Sequence, residues 1–377
     1  MKSVRVDTWS EWIDEQCRVI RDAGQWREIR TLDGGAPNAT LADTGRPIVS
    51  FASNDYLGLS QHPAVKAAAV AAIEQDGTGA GSSRLVVGAR PIHEQLERRL
   101  AEWRGTEAAL LFPTGYAANT GLLAVLGAPG VRVCSDALNH ASLIDGCRMA
   151  AARGADVRVY PHRDMEALAQ ALAGASRAVI VTDTVFSMDG DIAPIAALRE
   201  LADQHDALLV VDDAHKVFPV ADLDDESDRH VVRVGTLSKT LGSLGGFVAS
   251  SRQLVELLVN RARPFIFTTA LSPADAAAAS TALGIVGSDD GARRLRTLRA
   301  RIDQLRPDHP TPIVPLVIGE ERDAVEVSSR LLDAGLLVPA IRPPTVPRGT
   351  SRLRIALSAL HAESDVTRLR DALTGRL

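Results

Sequence analysis

The chain has 377 residues, of which 46% are hydrophobic and 24% are charged, a composition typical of a folded protein of about two domains. This composition excludes wholesale disorder, and no apolar run reaches the roughly 18 residues that a membrane helix needs. With 42 basic and 47 acidic residues the formal net charge is −5, which argues against nucleic acid as the main partner.

The N-terminal segment and the cysteines indicate a cytoplasmic protein. The segment MKSVRVDTWSEWIDEQ is too polar and too acidic for a signal or transit peptide. Cys17, Cys134 and Cys147 are odd in number and form no CxxC pair. That fits a reducing compartment and predicts neither a disulfide framework nor a thiolate metal site. We expect no metal.

The pattern of apolar residues predicts a helical and turn-rich start followed by an α/β domain. A helix is predicted within residues 9–30 and a turn region or short hairpin over 31–46. Seven β-rich runs then alternate with mostly helix-length segments, at 108–112, 131–134, 156–160, 178–182, 207–211, 231–235 and 246–249. This alternation predicts a largely parallel sheet covered by helices on both faces.

The C-terminal third predicts a smaller α+β domain. Residues 252–285 are predicted to be mostly helical, broken at Pro264 and Pro273, and an Arg-rich helix follows Gly291. Strands are then predicted near 313–318, 336–341 and 352–357, and helices near 321–334 and 363–374. We therefore divide the chain into an N-terminal segment (1–46), a large α/β domain (47–285) and a small α+β domain (286–377). Clefts between domains commonly hold ligands.

Lysine is rare in this chain, and one lysine lies in a loop suited to a ligand. Of the 42 basic residues, only Lys2, Lys66, Lys216 and Lys239 are lysine, the side chain that can act as a nucleophile or base. Lys239 lies in the Gly-, Ser- and Thr-rich stretch 235–246, whose hydroxyl and N–H groups suit a phosphate. The spacing differs from that of a nucleotide P-loop and favours an imine-forming lysine, the alternative being a flexible surface loop.

Other candidate groups follow predicted strands. The acids and the histidine of 212–215 end an apolar strand, where open α/β sheets present ligand-binding groups, although they also suit a helix cap. Thr114–Asn119 opens a helix that could hold an anion, and 77–84 is a Gly-rich loop ending in arginine. Either could be an ordinary turn. His140, after another strand, could be structural.

Together these groups indicate pyridoxal phosphate (PLP). The cofactor needs a lysine, a carboxylate against its pyridinium nitrogen, a ring stacked on its face, and donors for its phosphate. The candidates, in that order, are Lys239, Asp212, His140, and Gly115 and Tyr116 with Thr236.

Several long motifs resemble those of the α-oxoamine synthases, a PLP-dependent family of the aspartate-aminotransferase fold. They lie between about residues 50 and 360: SNDYLGLS (53–60), GTGAGSSR (77–84), HEQLERRLAEW (93–103), TGYAAN (114–119), NHASL (139–143), VFSMDGD (185–191), VDDAH (211–215), TLSKTLGSLGG (236–246) and IRPPTVPRGTSRLR (341–354). The resemblance implies fold type I: a large, mostly parallel seven-stranded sheet domain with a small C-terminal α+β domain.

The resemblance also implies residue roles. Lys239 matches the imine-forming lysine that moves the amino acid's α-proton, and Asp212 the partner of the pyridinium nitrogen. His215 matches the histidine bonded to the ring's phenolic oxygen, and His140 the ring stacked on the cofactor. Ser187 matches a polar contact to the cofactor. The phosphate contacts are matched by Gly115, Tyr116 and Thr236.

Two further groups of positions concern the partner subunit and the substrates. Thr268 and Thr269 match residues that reach the phosphate from a partner subunit, which implies a homodimer with shared active sites. The substrate-binding positions are matched by Arg27, Asn54, Arg342, Thr345 and Arg354.

The reaction implied by the resemblance is a decarboxylative condensation of an amino acid with an acyl thioester, giving an α-oxoamine, CO₂ and a free thiol. The C-terminal motif is closest to the biotin-synthesis members, which use L-alanine and pimeloyl-CoA or pimeloyl-carrier protein. The alternatives are a member with another amino acid or acyl donor, and a PLP-binding relative without turnover.

One stretch departs from the family pattern. After His215 the family usually continues with a Gly-rich run, whereas this chain reads Lys216-Val217-Phe218-Pro219, and the segment from His215 to Lys239 is several residues short. Bulky side chains and a fixed φ at Pro219 change the path of the loop. We expect the change to affect the acyl thioester more than the cofactor; the alternative is a neutral change.

Overall fold

The computed structural model describes residues 8–223 and 230–375. Within these ranges, none of the helices combines the length and apolarity required to cross a membrane. The residues fall into two compact units, a smaller one (1–52, 315–355 and 367–377) and a larger one (53–314 and 356–366). The three-part division at residues 46 and 285 stays a prediction.

The structure describes ten strands up to residue 250, within 8–223 and 230–250. The structure begins with α1 (Thr8–Asp22), β1 (Leu32–Asp33), β2 (Asn38–Leu41), β3 (Pro47–Ser50), α2 (Pro63–Asp76) and α3 (Pro91–Arg104). Strands and helices then alternate as β4 (Ala108–Phe112), α4 (Gly115–Leu126), β5 (Arg132–Asp136), α5 (Ala141–Ala152), β6 (Asp156–Tyr160), α6 (Met165–Leu172), β7 (Ala178–Asp183), α7 (Ile195–Gln204), β8 (Leu208–Asp212), β9 (Val231–Thr236) and β10 (Gly246–Ser250).

The remaining elements are helical first and mixed afterwards. They are α8 (Arg252–Arg261), α9 (Arg263–Ile266), α10 (Pro273–Val286), α11 (Asp289–Leu305), β11 (Ile313–Gly319), α12 (Glu321–Asp333), β12 (Leu336–Leu337), β13 (Ala340–Ile341), β14 (Ser351–Ala356) and α13 (Glu363–Leu373). Pro264 and Pro273 lie in the first turns of α9 and α10, where the missing N–H costs no helical hydrogen bond. The predicted helix breaks are therefore confirmed.

The larger unit contains the predicted seven-stranded sheet, in the order β4-β10-β9-β8-β7-β5-β6. The strands β9, β8, β7, β5 and β6 are parallel, and β10 runs antiparallel between β4 and β9. All seven predicted runs form these strands, each within two residues of its predicted ends. The fold-class prediction is confirmed.

Both faces of this sheet are covered, which explains why its strands are apolar throughout. Val181 and Val210 pack on the face covered by α4, α5 and α8. Their neighbours Ile180 and Val211 pack on the opposite face, with α6 and α7. Successive residues of a strand point to opposite faces, so a strand buried on both sides needs apolar residues at every position.

The smaller unit shows two differences from the predicted elements. The predicted strand at 336–341 is two short strands, because β12 pairs with β3 while β13 pairs with β14, and Pro339 between them has no N–H. Helix α1 ends at Asp22, well before residue 30, because Gly24 has a left-handed φ of 67°.

His162, which follows β6, contacts the last residue of β5 and residues of the segment that follows β7, at the carboxyl ends of the sheet strands. His162 contacts Asp136 Oδ1 at 3.0 Å through Nδ1 and Asp191 Oδ2 at 2.9 Å through Nε2, and its ring lies edge-on to Phe186. Burial lowers the pKa of His162, but the two carboxylates outweigh this effect and raise it to about 9. The protonated ring therefore ties the end of β5 to the turn that follows β7.

We predict that this link weakens in mildly alkaline solution. Because the folded pKa is raised from 6.5 to about 9, the stabilisation is complete below pH 6.5 and is lost as the pH rises through 9. His162→Gln, which stays neutral, should lower the free energy of unfolding by roughly 1–3 kcal/mol at pH 6 and by much less at pH 10. Denaturant unfolding of both proteins at the two pH values measures this. A difference independent of pH would contradict the protonated link.

Candidate active site

A cavity of about 190 Å³ lies at the carboxyl ends of the sheet strands in the larger unit. Its walls come from the ends of β7, β8 and β9, the first turn of α4 and the connection before α5. The lining residues are Thr114, Gly115, Tyr116, Asn119, His140, Ser142, Asp183, Asp212, Ala214, His215, Thr236, Ser238, Lys239, Leu244 and Gly245. Seven of the residues predicted to hold the cofactor are among them: Gly115, Tyr116, His140, Asp212, His215, Thr236 and Lys239.

Side chains of β8 point alternately to the two faces of the sheet, so only one of the neighbouring acids Asp212 and Asp213 faces the cavity. Asp212 is two residues beyond Val210, on the face covered by α4 and α5, where Asn119 Nδ2 donates to its Oδ2 at 2.6 Å. The backbone N–H of Ala214 donates to its Oδ1 at 2.9 Å. The carboxylate is 5% exposed and is held by donors on both oxygens.

Asp213 belongs to a separate cluster of buried charges. Arg233 donates to its Oδ2 through Nε at 2.9 Å and Nη2 at 2.7 Å, and Thr184 donates to its Oδ1 at 2.7 Å. Arg104 lies 3.5 Å away. Burial opposes ionisation of Asp213, but Arg233, Arg104 and Lys216 lower its pKa to about 2. Asp213 is therefore a structural anion outside the cavity lining.

A chain of hydrogen bonds links Asp212 to His140. Asn119 Nδ2 also donates to Ser142 Oγ at 2.9 Å, and Ser142 Oγ lies 2.8 Å from His140 Nδ1. Burial and the neighbouring Lys239 lower the pKa of His140, although Asp212 opposes this. The ring is thus a neutral face whose orientation is set by Ser142.

Asp183 is a second carboxylate beside Asp212. The two residues are register partners at the ends of the parallel strands β7 and β8. Burial and the charge of Asp212 raise the pKa of Asp183 well above its usual value. Asp183 Oδ2 accepts a hydrogen bond of 2.7 Å from the backbone N–H of His140, which positions that residue.

The loop that carries Lys239 faces the start of helix α4. Thr236 Oγ1 lies 2.7 Å from Ser238 Oγ, accepts from the Ser238 N–H and donates to the Gly245 carbonyl. A Cβ at Gly246 would lie 2.5 Å from the Gly115 nitrogen, so glycine is required for the loop to approach the helix. Hydroxyl groups and first-turn N–H groups of a helix form a site for an anion.

This set of groups fits PLP. An amine, a buried carboxylate, a neutral imidazole face and a cluster of hydroxyl and N–H donors surround one cavity, each matching a group of the cofactor. The side-chain oxygen of Asn119 is buried with no hydrogen-bond partner among the described residues, as is common in sites that take a ligand. No cluster of three or more potential metal ligands occurs in the ranges that the structure covers.

Other predicted site residues lie outside this cavity lining. Ser187 follows β7 but does not line the cavity. Thr268 and Thr269 line a small separate cavity together with Arg84, which forms a bidentate ion pair with Glu97. Asn54 lies in the larger unit, where its Oδ1 accepts a 3.1 Å hydrogen bond from Tyr56.

Four predicted substrate-binding residues belong to the smaller unit. Arg27, Arg342 and Thr345 line one groove of about 730 Å³. Arg342 Nη1 donates to the Gly24 carbonyl at 2.6 Å, which ties β13 to the segment after α1. Arg354, in β14, is 5% exposed and does not line that groove.

The atypical loop after His215 is anchored to helix α11. Phe218 lies under the guanidinium of Arg299 at 4.2 Å, and Arg299 Nη1 donates to the His309 carbonyl at 2.6 Å. His215 still lines the cavity, whereas residues 216–219 do not.

Sequence reasoning missed several lining residues. The sequence patterns do not indicate Asn119, Ser142 or Asp183 individually as site residues, although Asn119 and Ser142 lie in the motifs TGYAAN (114–119) and NHASL (139–143). Asp183 ends its strand as Asp212 ends the next one, and that repeated pattern could have indicated it.

Comparison with known proteins agrees with this geometry. The model of the family "Aminotransferase class I and II" matches residues 46–373. The chain belongs to this family. It is 48% identical to 8-amino-7-oxononanoate synthase of Geobacter sulfurreducens over 94% of each chain, and 45% identical to that of Acidithiobacillus ferrooxidans over 99% of this chain and 100% of the relative.

A solved structure of SPT with PLP as the internal aldimine superposes with a TM-score of 0.87 at 27% identity, covering 99% of this chain and 100% of that one. The predicted family and cofactor are confirmed: the chain is an α-oxoamine synthase, a PLP-dependent enzyme of the acyltransferase type.

We predict that Asp212→Asn impairs turnover more than cofactor binding. A neutral amide keeps the shape of the side chain but cannot hold a proton on the cofactor's ring nitrogen, so kcat should fall by roughly 10²–10³. Thiol release and the absorbance of bound PLP measure the two effects. Asp156→Asn, the same change on β6 outside the cavity lining, is the matched control and should leave kcat unchanged. Unchanged kcat in Asp212→Asn would contradict the role of Asp212.

Proposed function

We propose that this synthase condenses L-alanine with a pimeloyl thioester, carried by CoA or by a carrier protein, to give 8-amino-7-oxononanoate, CO₂ and free thiol in biotin synthesis. The observation that carries the proposal is the convergence of Lys239, Asp212, His140 and His215 on one cavity, in a chain that is 48% identical to a relative of that name.

The residues around the cavity have separate roles toward PLP. Lys239 would attach the cofactor covalently, and Asp212 would hold the proton on its ring nitrogen. His140 would stack on the ring and His215 would bond its phenolic oxygen. The hydroxyl of Thr236 and the first-turn N–H groups at Gly115 and Tyr116 would bind the phosphate. Bound PLP supplies an electron sink for the α-carbon of an amino acid.

The amine of Lys239 is the group suited to move the substrate's α-proton. As a free amine within the cavity, Lys239 would be a base able to take up and return that proton. Hydrogen bonds from Asn119 Nδ2 and the Ala214 N–H hold the buried carboxylate of Asp212 in a fixed position, from which it would face the ring nitrogen of the cofactor. Asn54 would bind the carboxylate of the amino acid.

The acyl chain of the donor ends in a carboxylate, which favours arginine as its binding group. Arg27 and Arg342, which line the groove of the smaller unit with Thr345, are the residues we assign to the acyl thioester. Arg354 would also bind substrate.

We propose a cytoplasmic homodimer in which Thr268 and Thr269 complete the phosphate site of the partner subunit. Exposed apolar side chains support this assembly. Val86 and Val87, in the short π-helix Arg84–Gly88, are 71% and 69% exposed, and Phe267 is 69% exposed. Exposed apolar groups next to a proposed ligand site favour a protein partner.

Lys239 should carry the cofactor. Borohydride reduction of the PLP-loaded protein, followed by proteolysis and mass spectrometry, should place the label on Lys239. Lys216 is the matched comparison, because it is the other lysine close to the site in sequence and it is 9% exposed. A label on Lys216 would contradict the assignment.

The substrate pair is tested by thiol release. L-Alanine, glycine and L-serine should each be combined with pimeloyl-, acetyl- and palmitoyl-CoA, with Lys239→Ala as the blank. We expect kcat/KM to be highest for L-alanine with pimeloyl-CoA by at least about tenfold, the effect of roughly 1.4 kcal/mol of selective binding. A preference for L-serine with palmitoyl-CoA would instead indicate serine palmitoyltransferase activity, the activity named for similar solved structures.

A further inference from the structure

A tyrosine far away in sequence contacts the histidine of the cavity. The hydroxyl of Tyr56 lies 2.6 Å from His215 Nδ1, and the two residues are 159 positions apart. Tyr56 is fully buried and His215 is 4% exposed. The same hydroxyl donates to Asn54 Oδ1 at 3.1 Å. A short contact between two buried polar groups is a strong constraint on both side chains.

The backbone around Tyr56 holds this hydroxyl in place. The carboxylate of Asp55 accepts from the N–H groups of Leu59 and Ser60 and from the Ser60 hydroxyl. The Asp55 carbonyl accepts from Ser358 Oγ at 2.8 Å, and the Tyr56 carbonyl accepts from the Ala359 N–H at 2.8 Å. Tyr56 is therefore a rigid reference point for the ring of His215.

The direction of the hydrogen bonds follows from the single proton of the phenol. Both contacts can be hydrogen bonds at once only when the phenol donates to Asn54 Oδ1 and accepts from His215, so the arrangement that satisfies both places a proton on Nδ1 of His215. The hydrogen bond at one ring nitrogen of a histidine sets the state of the other. With the proton on Nδ1, Nε2 of the neutral ring carries none.

We propose that Tyr56 is a positioning residue that fixes the orientation and the Nδ1–H tautomer of His215. This inference rests on the proposed function, in which His215 bonds the phenolic oxygen of PLP. Without the phenol, the imidazole can rotate or carry its proton on Nε2, and the bond to the cofactor loses its fixed geometry.

The first test reads the tautomer directly. The protein labelled with ring-¹⁵N histidine contains nine histidines, and the His215 signals are those lost in His215→Gln. We expect a protonated Nδ1 and an unprotonated Nε2 in the wild-type apoprotein. An unprotonated Nδ1 would overturn the proposal, and this test needs neither activity nor a variant of Tyr56.

The second test removes the hydroxyl. Tyr56→Phe should weaken PLP binding about tenfold, the usual effect of one hydrogen bond, and should change the absorption spectrum of the bound cofactor. Tyr160→Phe removes the hydroxyl of another buried tyrosine, at the end of β6 and outside the cavity lining, and should leave both measurements unchanged. Equal effects of the two substitutions, or none, would overturn the proposal.

The third test separates positioning from general stabilisation. If Tyr56 acts through His215, Tyr56→Phe should change the Kd of PLP no further in a His215→Gln background. An additional loss of about tenfold there would contradict the proposal. Failure of the wild-type protein to use pimeloyl-CoA would refute the proposed function alone, because the tautomer and the Kd are measured without an acyl donor.

Discussion

The buried ion pair between Asp213 and Arg233 is the constraint on which the cavity depends. Removing one member of such a pair usually costs about 3–5 kcal/mol, because the other charge is left buried without its partner. Arg233 lies between Val232 and Val234, which pack on the α4 and α5 side, so its guanidinium holds Asp213 on the opposite side of the sheet. Because neighbouring strand residues alternate, anchoring Asp213 on one face keeps Asp212 on the other. Two adjacent acids thus acquire different environments, one paired with arginines and one facing the cavity.

The groups around Asp212 form a connected polar network. Asn119 contacts both Asp212 and Ser142, and Ser142 contacts His140, so one amide sets the positions of the carboxylate and of the imidazole face. Asp183 holds the backbone of His140 from the neighbouring strand. A buried network of this kind specifies geometry, since moving one member leaves another unsatisfied. The members of this network therefore lie at strand ends and near the starts of helices α4 and α5.

The sheet and the main cavity residues could be predicted from the sequence, whereas their supporting contacts could not. A strand buried on both faces is apolar at every position, so its position can be read locally, and Lys239 is conspicuous among only four lysines. The contacts of Tyr56 with His215 and of Asn119 with Asp212 join segments 159 and 93 residues apart. Nothing local to either segment indicates them. The separation of β12 from β13 depends on pairing with different sheets, which is again a property of the folded chain.

The unusual loop after His215 is compatible with the site because it is held at both ends. At one end, Tyr56 contacts His215 Nδ1 at 2.6 Å. At the other, Arg299 stacks on Phe218, and its guanidinium is itself fixed by the carbonyls of His309 and Pro310. The ring of Phe218 is therefore directed toward α11, while His215 keeps its place in the cavity wall. A cation–π contact contributes about 0.5–2 kcal/mol, enough to set the path of a short loop. The loop thus tolerates large side chains without displacing the group beside the cofactor site.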